Sequence, residues 1–249
     1  MFEQAPGLAA IPGLVHGFTD RDGGVSEGRY ATLNLASTWG DDVVAVAHNR
    51  ARLAAAAGFA LARLRCAKQV HGNDVIDAAT IDPQREPAPQ ADALVCRRED
   101  GLVVGVLTAD CVPVLVADDA GTIAAAIHAG WRGVVAEIVA HTLAAIAARG
   151  VAPARLRAAI GPCIEQPAFE VGEEVAQRFA PAFVDRSGPR PHVDLVAAVR
   201  AQLQHGGVPA AAIERVGGCT HAQPQRYFSF RRDGAGIGQM LAFIGVGGA

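Results

Sequence analysis

Residues 112–133 read Val-Pro-Val-Leu-Val-Ala-Asp-Asp-Ala-Gly-Thr-Ile-Ala-Ala-Ala-Ile-His-Ala-Gly-Trp-Arg-Gly, two strand-like runs and the start of a helix. Two apolar runs, 112–117 and 122–127, flank the polar turn Asp118-Asp119-Ala120-Gly121, which is the pattern of a β-hairpin. A hairpin introduces antiparallel pairing, so the sheet is expected to be mixed and not doubly wound. Directly after it, a glycine turn at Gly130 opens a helix. Val134, Val135, Ile138, Val139, Leu143 and Ile146 recur at helical spacing before Gly150 stops the run.

Elsewhere in the chain, short apolar or alternating runs at 14–18, 93–96, 102–107, 156–160, 213–216 and 241–246 read as further strands. Three more helices are expected. One covers 42–57, capped by Asp41 or Asp42 and ended by Gly58; the others cover 173–179 and 194–205, the latter capped by Asp194 and ended by Gly206-Gly207. Pro83, Pro87 and Pro89 make 82–90 an extended loop, not a linker, because a strand resumes directly after it. No internal repeat exists, and the reading is one domain over residues 1–249.

The 249 residues are 51% apolar and 19% charged, with a net charge of -3, a balance suited to a globular enzyme that takes small molecules and poorly suited to nucleic acid or an anionic membrane. The absence of an 18-residue apolar run and of a basic, apolar leader leaves the cytoplasm as the expected address. Five cysteines without a CxxC pair fit free thiols in a reducing compartment better than a disulfide framework.

Three stretches carry candidate chemistry. Asp110 and Cys111 interrupt the junction between two apolar strands; His128 ends the second hairpin strand and precedes Gly130-Trp131-Arg132-Gly133; and Lys68-Gln69-Val70-His71-Gly72 is a polar break in apolar sequence. Each has a plain structural alternative: an inert buried thiol, a glycine turn, a capped loop histidine. Together, His71, Cys111 and His128 are a ligand set that zinc takes with one position left open, but separations of 40 and 17 residues do not by themselves bring them together. Backbone N–H groups at 130–133, Arg132 and the helix dipole suit an anion such as phosphate. Arg50, on an apolar helix face, is read either as a pocket cation for phosphate or a sugar, or as a snorkelling surface residue. Arg231 and Arg232, beside Phe228 and Phe230, either hold an anion or lie on the surface against the rings. Cys163 is read as packing or pocket lining, and Cys66, Cys96 and Cys219 as structural.

The same stretches, in the same order, resemble the polyphenol oxidase-like, or laccase-domain, family, also described as the YfiH type of purine nucleoside phosphorylase. The resemblance runs along the chain through His16-Gly17-Phe18-Thr19-Asp20-Arg21-Asp22-Gly23-Gly24-Val25-Ser26, Leu33-Asn34-Leu35, Gln69-Val70-His71-Gly72, Ala91-Asp92-Ala93-Leu94-Val95, Thr108-Ala109-Asp110-Cys111-Val112-Pro113, His128-Ala129-Gly130-Trp131-Arg132-Gly133, Gly161-Pro162-Cys163-Ile164 and Phe228-Ser229-Phe230-Arg231-Arg232. It implies an α+β fold of mixed sheets sandwiched and covered by helices, in α-β-β-α layers, akin to the catalytic domain of cytotoxic necrotizing toxins. It also implies that His71, Cys111 and His128 bind catalytic zinc.

The implied activity is phosphorolysis of adenosine, inosine, guanosine and methylthioadenosine, with hydrolytic deamination of adenosine in the same pocket. Phosphate would sit against Gly130, Arg132 and Gly133 with Arg50 or Lys68, and Asp110 would take or orient a proton. The expected partners are therefore a nucleoside and phosphate, with the protein a monomer or weak homodimer. Two departures touch peripheral substrate contacts: Thr38 stands where the family usually has a histidine, and Ile237-Gly238-Gln239 replaces a Thr-Gly-Arg. Copper oxidase chemistry is not expected despite the family's name, since eight histidines with no His-x-His pair cannot build several copper sites. A different reaction class stays open: a metal-free cysteine hydrolase, or an amidase editing peptidoglycan precursors, with Cys111 as nucleophile.

Overall fold

Along β7 (Val112–Asp118) every side chain is buried, yet successive residues enter different cores, as the two-residue period of a strand requires. Val114 and Val116 join one apolar cluster; Leu115 and Ala117 join another. A strand buried on both faces lies inside a sandwich. The computed structural model, which describes residues 1–37, 39–84 and 87–246, shows how that sandwich is built.

The expected hairpin is present: β7 pairs antiparallel with β8 (Ile123–Ala129). Its turn is tied by Asp118, whose Oδ1 accepts the N–H groups of Thr122 and Ile123 at 2.6 and 2.9 Å, while Gly121 supplies a φ of +61°. The hairpin is the centre of a six-stranded sheet. On one side lie β9 (Leu156–Ile160) and β12 (Ile213–Arg215), on the other β5 (Ala93–Arg97) and β4 (Val75–Asp77), in the order β12-β9-β7-β8-β5-β4. The two outer pairs are parallel and the inner ones antiparallel, so the sheet is mixed as expected.

The second sheet has five strands in the order β1-β2-β13-β6-β3, from β1 (Phe2–Glu3), β2 (Leu14–Thr19), β13 (Met240–Val246), β6 (Val103–Thr108) and β3 (Leu64–Arg65). Phe18, Val104, Val106, Ala242 and Ile244 from this sheet meet Leu94, Leu115, Ala124 and Ala126 from the first in the central apolar layer. Gly161 permits the closest approach: a Cβ there would lie 2.1 Å from the Phe18 ring. The outer face of the six-stranded sheet is covered by α4 (Ile138–Ala147) and α6 (Leu195–His205). The outer face of the five-stranded sheet is covered by α2 (Val43–Ala57) through Leu53 and Ala54. The layers are thus α-β-β-α, in a mixed α+β fold.

Short elements complete the chain: α1 (Pro6–Ala9), α5 (Glu173–Ala176), α7 (Phe230–Asp233) and a two-stranded ribbon of β10 (Val184–Asp185) and β11 (His192–Val193). The helix expected over 173–179 therefore closes after one turn. A larger difference follows the hairpin. The run expected as one helix from Gly130 to Gly150 is two, α3 (Trp131–Val135) and α4, because Glu137 takes a left-handed φ of 61°. Asn73 Nδ2 donates to the Ala136 carbonyl at 2.9 Å, at the break. The apolar period continues across it because both pieces face the same sheet. Among the described residues no helix is long and apolar enough to cross a membrane.

Candidate metal centre

The separations that sequence alone could not bridge are closed by the six-stranded sheet. Cys111 immediately precedes β7, and His128 sits near the end of β8 opposite Pro113, so the hairpin brings the start of one strand beside the end of the next. His71 arrives on the loop before β4. The ligating atoms of His71, Cys111 and His128 all lie within 4.8 Å of one another, with Cys111 Sγ 3.8 Å from His71 Nε2. Two ligands of one tetrahedral zinc ion, at bond lengths of about 2.0–2.3 Å, stand about 3.4–3.8 Å apart, a separation that Cys111 Sγ and His71 Nε2 already have.

Asp92, fully buried just before β5, organises both histidines. Its Oδ1 is 2.7 Å from His128 Nδ1 and accepts the His71 N–H at 3.0 Å, while Oδ2 accepts the N–H groups of Gly72 and Val70 at 2.7 and 3.2 Å. The carboxylate thereby fixes His128 with Nδ1 as donor and Nε2 free to ligate. Burial works against its charge, but the hydrogen bond from His128 and those from the loop N–H groups outweigh it and hold its carboxyl below the usual range. Sequence reasoning assigned Asp92 no role. The signal was a lone carboxylate at the head of an apolar strand, where an unpartnered charge would be costly.

The electrostatics form one couple. Burial alone would raise the Cys111 thiol, yet the neighbouring His128 and His71 bring it down to about 6. Burial would lower His128, yet the Cys111 thiolate and the Asp92 carboxylate push it up to about 9. A thiolate beside an imidazolium is the metal-free ground state this arrangement favours.

Glycine is required where the set converges. A Cβ on Gly130 would meet His71 Cδ2 at 2.9 Å and Cys111 Sγ at 3.0 Å, and one on Gly133 would meet the Gly72 carbonyl at 2.9 Å. Among the described residues, two of the three non-glycine positions with positive φ are in this centre, His71 at 60° and Asp110 at 105°, and such strain concentrates at functional sites. Asp110 is held at both oxygens: Thr220 Oγ1 donates to Oδ1 and the Arg231 N–H to Oδ2, each at 2.6 Å.

The remaining expected residues are more dispersed. Lys68 is exposed and pairs through its backbone with Gln90. Arg132 is exposed, with its guanidinium 4.4 Å from the Trp131 ring centroid. Arg50 donates from Nε to the Leu35 carbonyl at 2.9 Å and lies near Cys66. Arg232 is occupied by the carbonyls of Thr220, His221 and Tyr227 and by Asp233. The exposed Arg231 reaches the Glu170 carbonyl and the Phe169 ring. Cys163 is fully buried in the core beneath α6. The backbone N–H of Gln239 donates to Asn34 Oδ1 at 2.9 Å, while Thr38 lies outside the described residues.

The chain is 42% identical to a purine nucleoside phosphorylase of Deinococcus radiodurans, over 97% of this chain and 94% of that protein. It is 38% identical to adenosine deaminase RL5 of an unknown prokaryotic organism, over 87% of each. In three dimensions it matches the crystal structure of YlmD from Geobacillus stearothermophilus with a TM-score of 0.89 and 32% identity, over 98% of both chains. The family model described as multi-copper polyphenol oxidoreductase laccase spans residues 15–247, a stretch that takes in every residue of the His71–Cys111–His128 centre, and the chain belongs to that family.

Proposed function

We propose that this protein is a zinc-dependent purine nucleoside enzyme that phosphorolyses adenosine, inosine, guanosine and methylthioadenosine and deaminates adenosine hydrolytically. The observation that carries the reading is the convergence of two imidazoles and a thiolate within 4.8 Å, beside relatives named for both reactions. His71, Cys111 and His128 are the zinc ligands. The donor set fits zinc, because it is borderline-soft, three-membered and backed by a carboxylate on His128; it is too small for the several sites of a multicopper oxidase. Bound zinc supplies Lewis acidity and lowers the pKa of a water in its open position toward ~7.

The chain's own groups do the rest. Asp92 keeps the His128 proton on Nδ1. Asp110, each oxygen of which already accepts one hydrogen bond, keeps a further lone pair on each and orients a proton beside Cys111. In deamination, water adds at C6 of adenine and the amino group leaves as ammonia. In phosphorolysis, a phosphate oxygen bonds to C1′ as the bond from C1′ to N9 breaks, and Gly130, Arg132, Gly133, Lys68 and Arg50 supply the phosphate contacts.

The decisive assay follows adenosine and inosine by chromatography, with and without phosphate, on protein of measured zinc content. Free base should form only with phosphate, and inosine plus ammonia should form from adenosine without it. Zinc-loaded protein that turns over none of the four nucleosides overturns the proposal. The depressed Cys111 thiol favours one second reading, a metal-independent hydrolase with Cys111 as nucleophile. Activity that survives exhaustive chelation and zinc loss would select it.

A further inference from the structure

The exposed ring of Phe230, about half accessible, belongs neither to the metal ligands nor to the phosphate contacts. Its neighbour in space is Trp39, with ring centroids 5.8 Å apart and planes inclined by 36°. Two independent contacts fix this pair beside the centre. The Arg231 N–H, one residue on from Phe230, bonds Asp110 Oδ2 at 2.6 Å, and Asp110 adjoins Cys111. Chain geometry then keeps the Cα atoms of Phe230 and Cys111 within roughly 12 Å, on the order of the length of a nucleoside. Trp39 packs against the buried cluster that contains Ala109, on the same turn, and the Tyr30 hydroxyl donates to its carbonyl. One ring is therefore anchored and the other presents a face to solvent.

An aromatic face held at this distance from a metal and phosphate centre suits a flat, π-rich group. Resting on the proposed function, we infer that Phe230, backed by Trp39, is the stacking platform for the purine base, and that it sets the preference for purine over pyrimidine nucleosides. The larger ring system of a purine overlaps an aromatic side chain more fully, and stacking is indifferent to the exocyclic groups that distinguish adenine, hypoxanthine and guanine. Phosphate contacts would not feel the change.

The test compares wild type with Phe230→Ala, Phe230→Leu, Phe230→Tyr and Trp39→Ala, each checked for melting temperature and zinc content. Removing the ring should raise KM for inosine roughly 5- to 100-fold, the range for loss of one base–aromatic stack, and leave KM for phosphate unmoved. Phe230→Leu, which keeps apolar bulk without a π face, should resemble Phe230→Ala, whereas Phe230→Tyr should stay within about threefold of wild type. Discrimination between inosine and uridine should shrink in step. Unchanged KM for inosine in folded Phe230→Ala and Trp39→Ala, with wild type active, overturns the platform and leaves the functional reading standing. If wild type turns over no purine nucleoside, the functional reading fails. Calorimetric titration with inosine then decides the platform alone: binding lost in Phe230→Leu sustains it, and no binding by wild type overturns it.

Discussion

Asp92 ties the loop that carries His71 to the His128 ring through a single side chain. Its carboxylate is fully buried and accepts from His128 and from three consecutive backbone N–H groups, those of residues 70–72. The three residues that converge, His71, Cys111 and His128, were legible as candidates by type, since two histidines and a cysteine in polar breaks suggest zinc chemistry, and by resemblance. Their supporting carboxylate was not, because nothing in Ala91-Asp92-Ala93 distinguishes a positioning residue from a strand-leading cap. Asp92→Asn keeps the shape but replaces one acceptor oxygen with a donor facing other donors. Zinc affinity should fall about 10- to 100-fold, the usual cost of losing such a partner. Competition with a chromophoric chelator measures it, and an affinity equal to wild type would show that Asp92 does not position the ligands.

At the scale of elements, the strands were legible and the helix after Gly130 was not fully so. Eight runs of apolar residues all became strands, because each is long enough for its alternation to be read. Apart from β12, which lies in the longer apolar run 213–216, the two- and three-residue strands β1, β3, β4, β10 and β11 are too short to carry a period and form because a neighbouring strand offers them hydrogen bonds. The α3–α4 break was hidden for the opposite reason: the apolar period runs through it unbroken. Glu137 is an exposed non-glycine residue at φ 61°, and the break shortens the dipole-bearing helix behind 130–133 to the five residues of α3. Left-handed backbone costs a residue with a Cβ about 1–2 kcal/mol, offset in part by the greater unfolded-state freedom of glycine. Glu137→Gly should therefore stabilise the fold by about 0.5–1 kcal/mol, raising Tm by about 1–4 °C for a chain of this size. A lower Tm in a calorimetric scan would show that Glu137 contributes an interaction larger than its strain.

At the scale of the whole molecule, the centre joins pieces of chain far apart in sequence but sharing one sheet. His128 lies within β8, Cys111 leads into β7, and His71 belongs to the loop that precedes β4 at the edge. Zinc held by all three, as proposed, would cross-link the hairpin to that edge in the native state, with no comparable site in the unfolded chain. Mass action then ties stability to metal. At a free zinc concentration of 100 times Kd the native state gains about 2.7 kcal/mol, which for a chain of this length is a rise in Tm of about 5 °C. Chelation of wild type should lower Tm by that amount, and re-addition of zinc should restore it. Cys111→Ser, which offers a hydroxyl where zinc takes a thiolate, should start near the chelated value and respond weakly to either treatment. Equal responses of wild type and Cys111→Ser to added zinc would mean that the metal binds elsewhere, and the His71–Cys111–His128 centre would lose its assignment even if the nucleoside activity held.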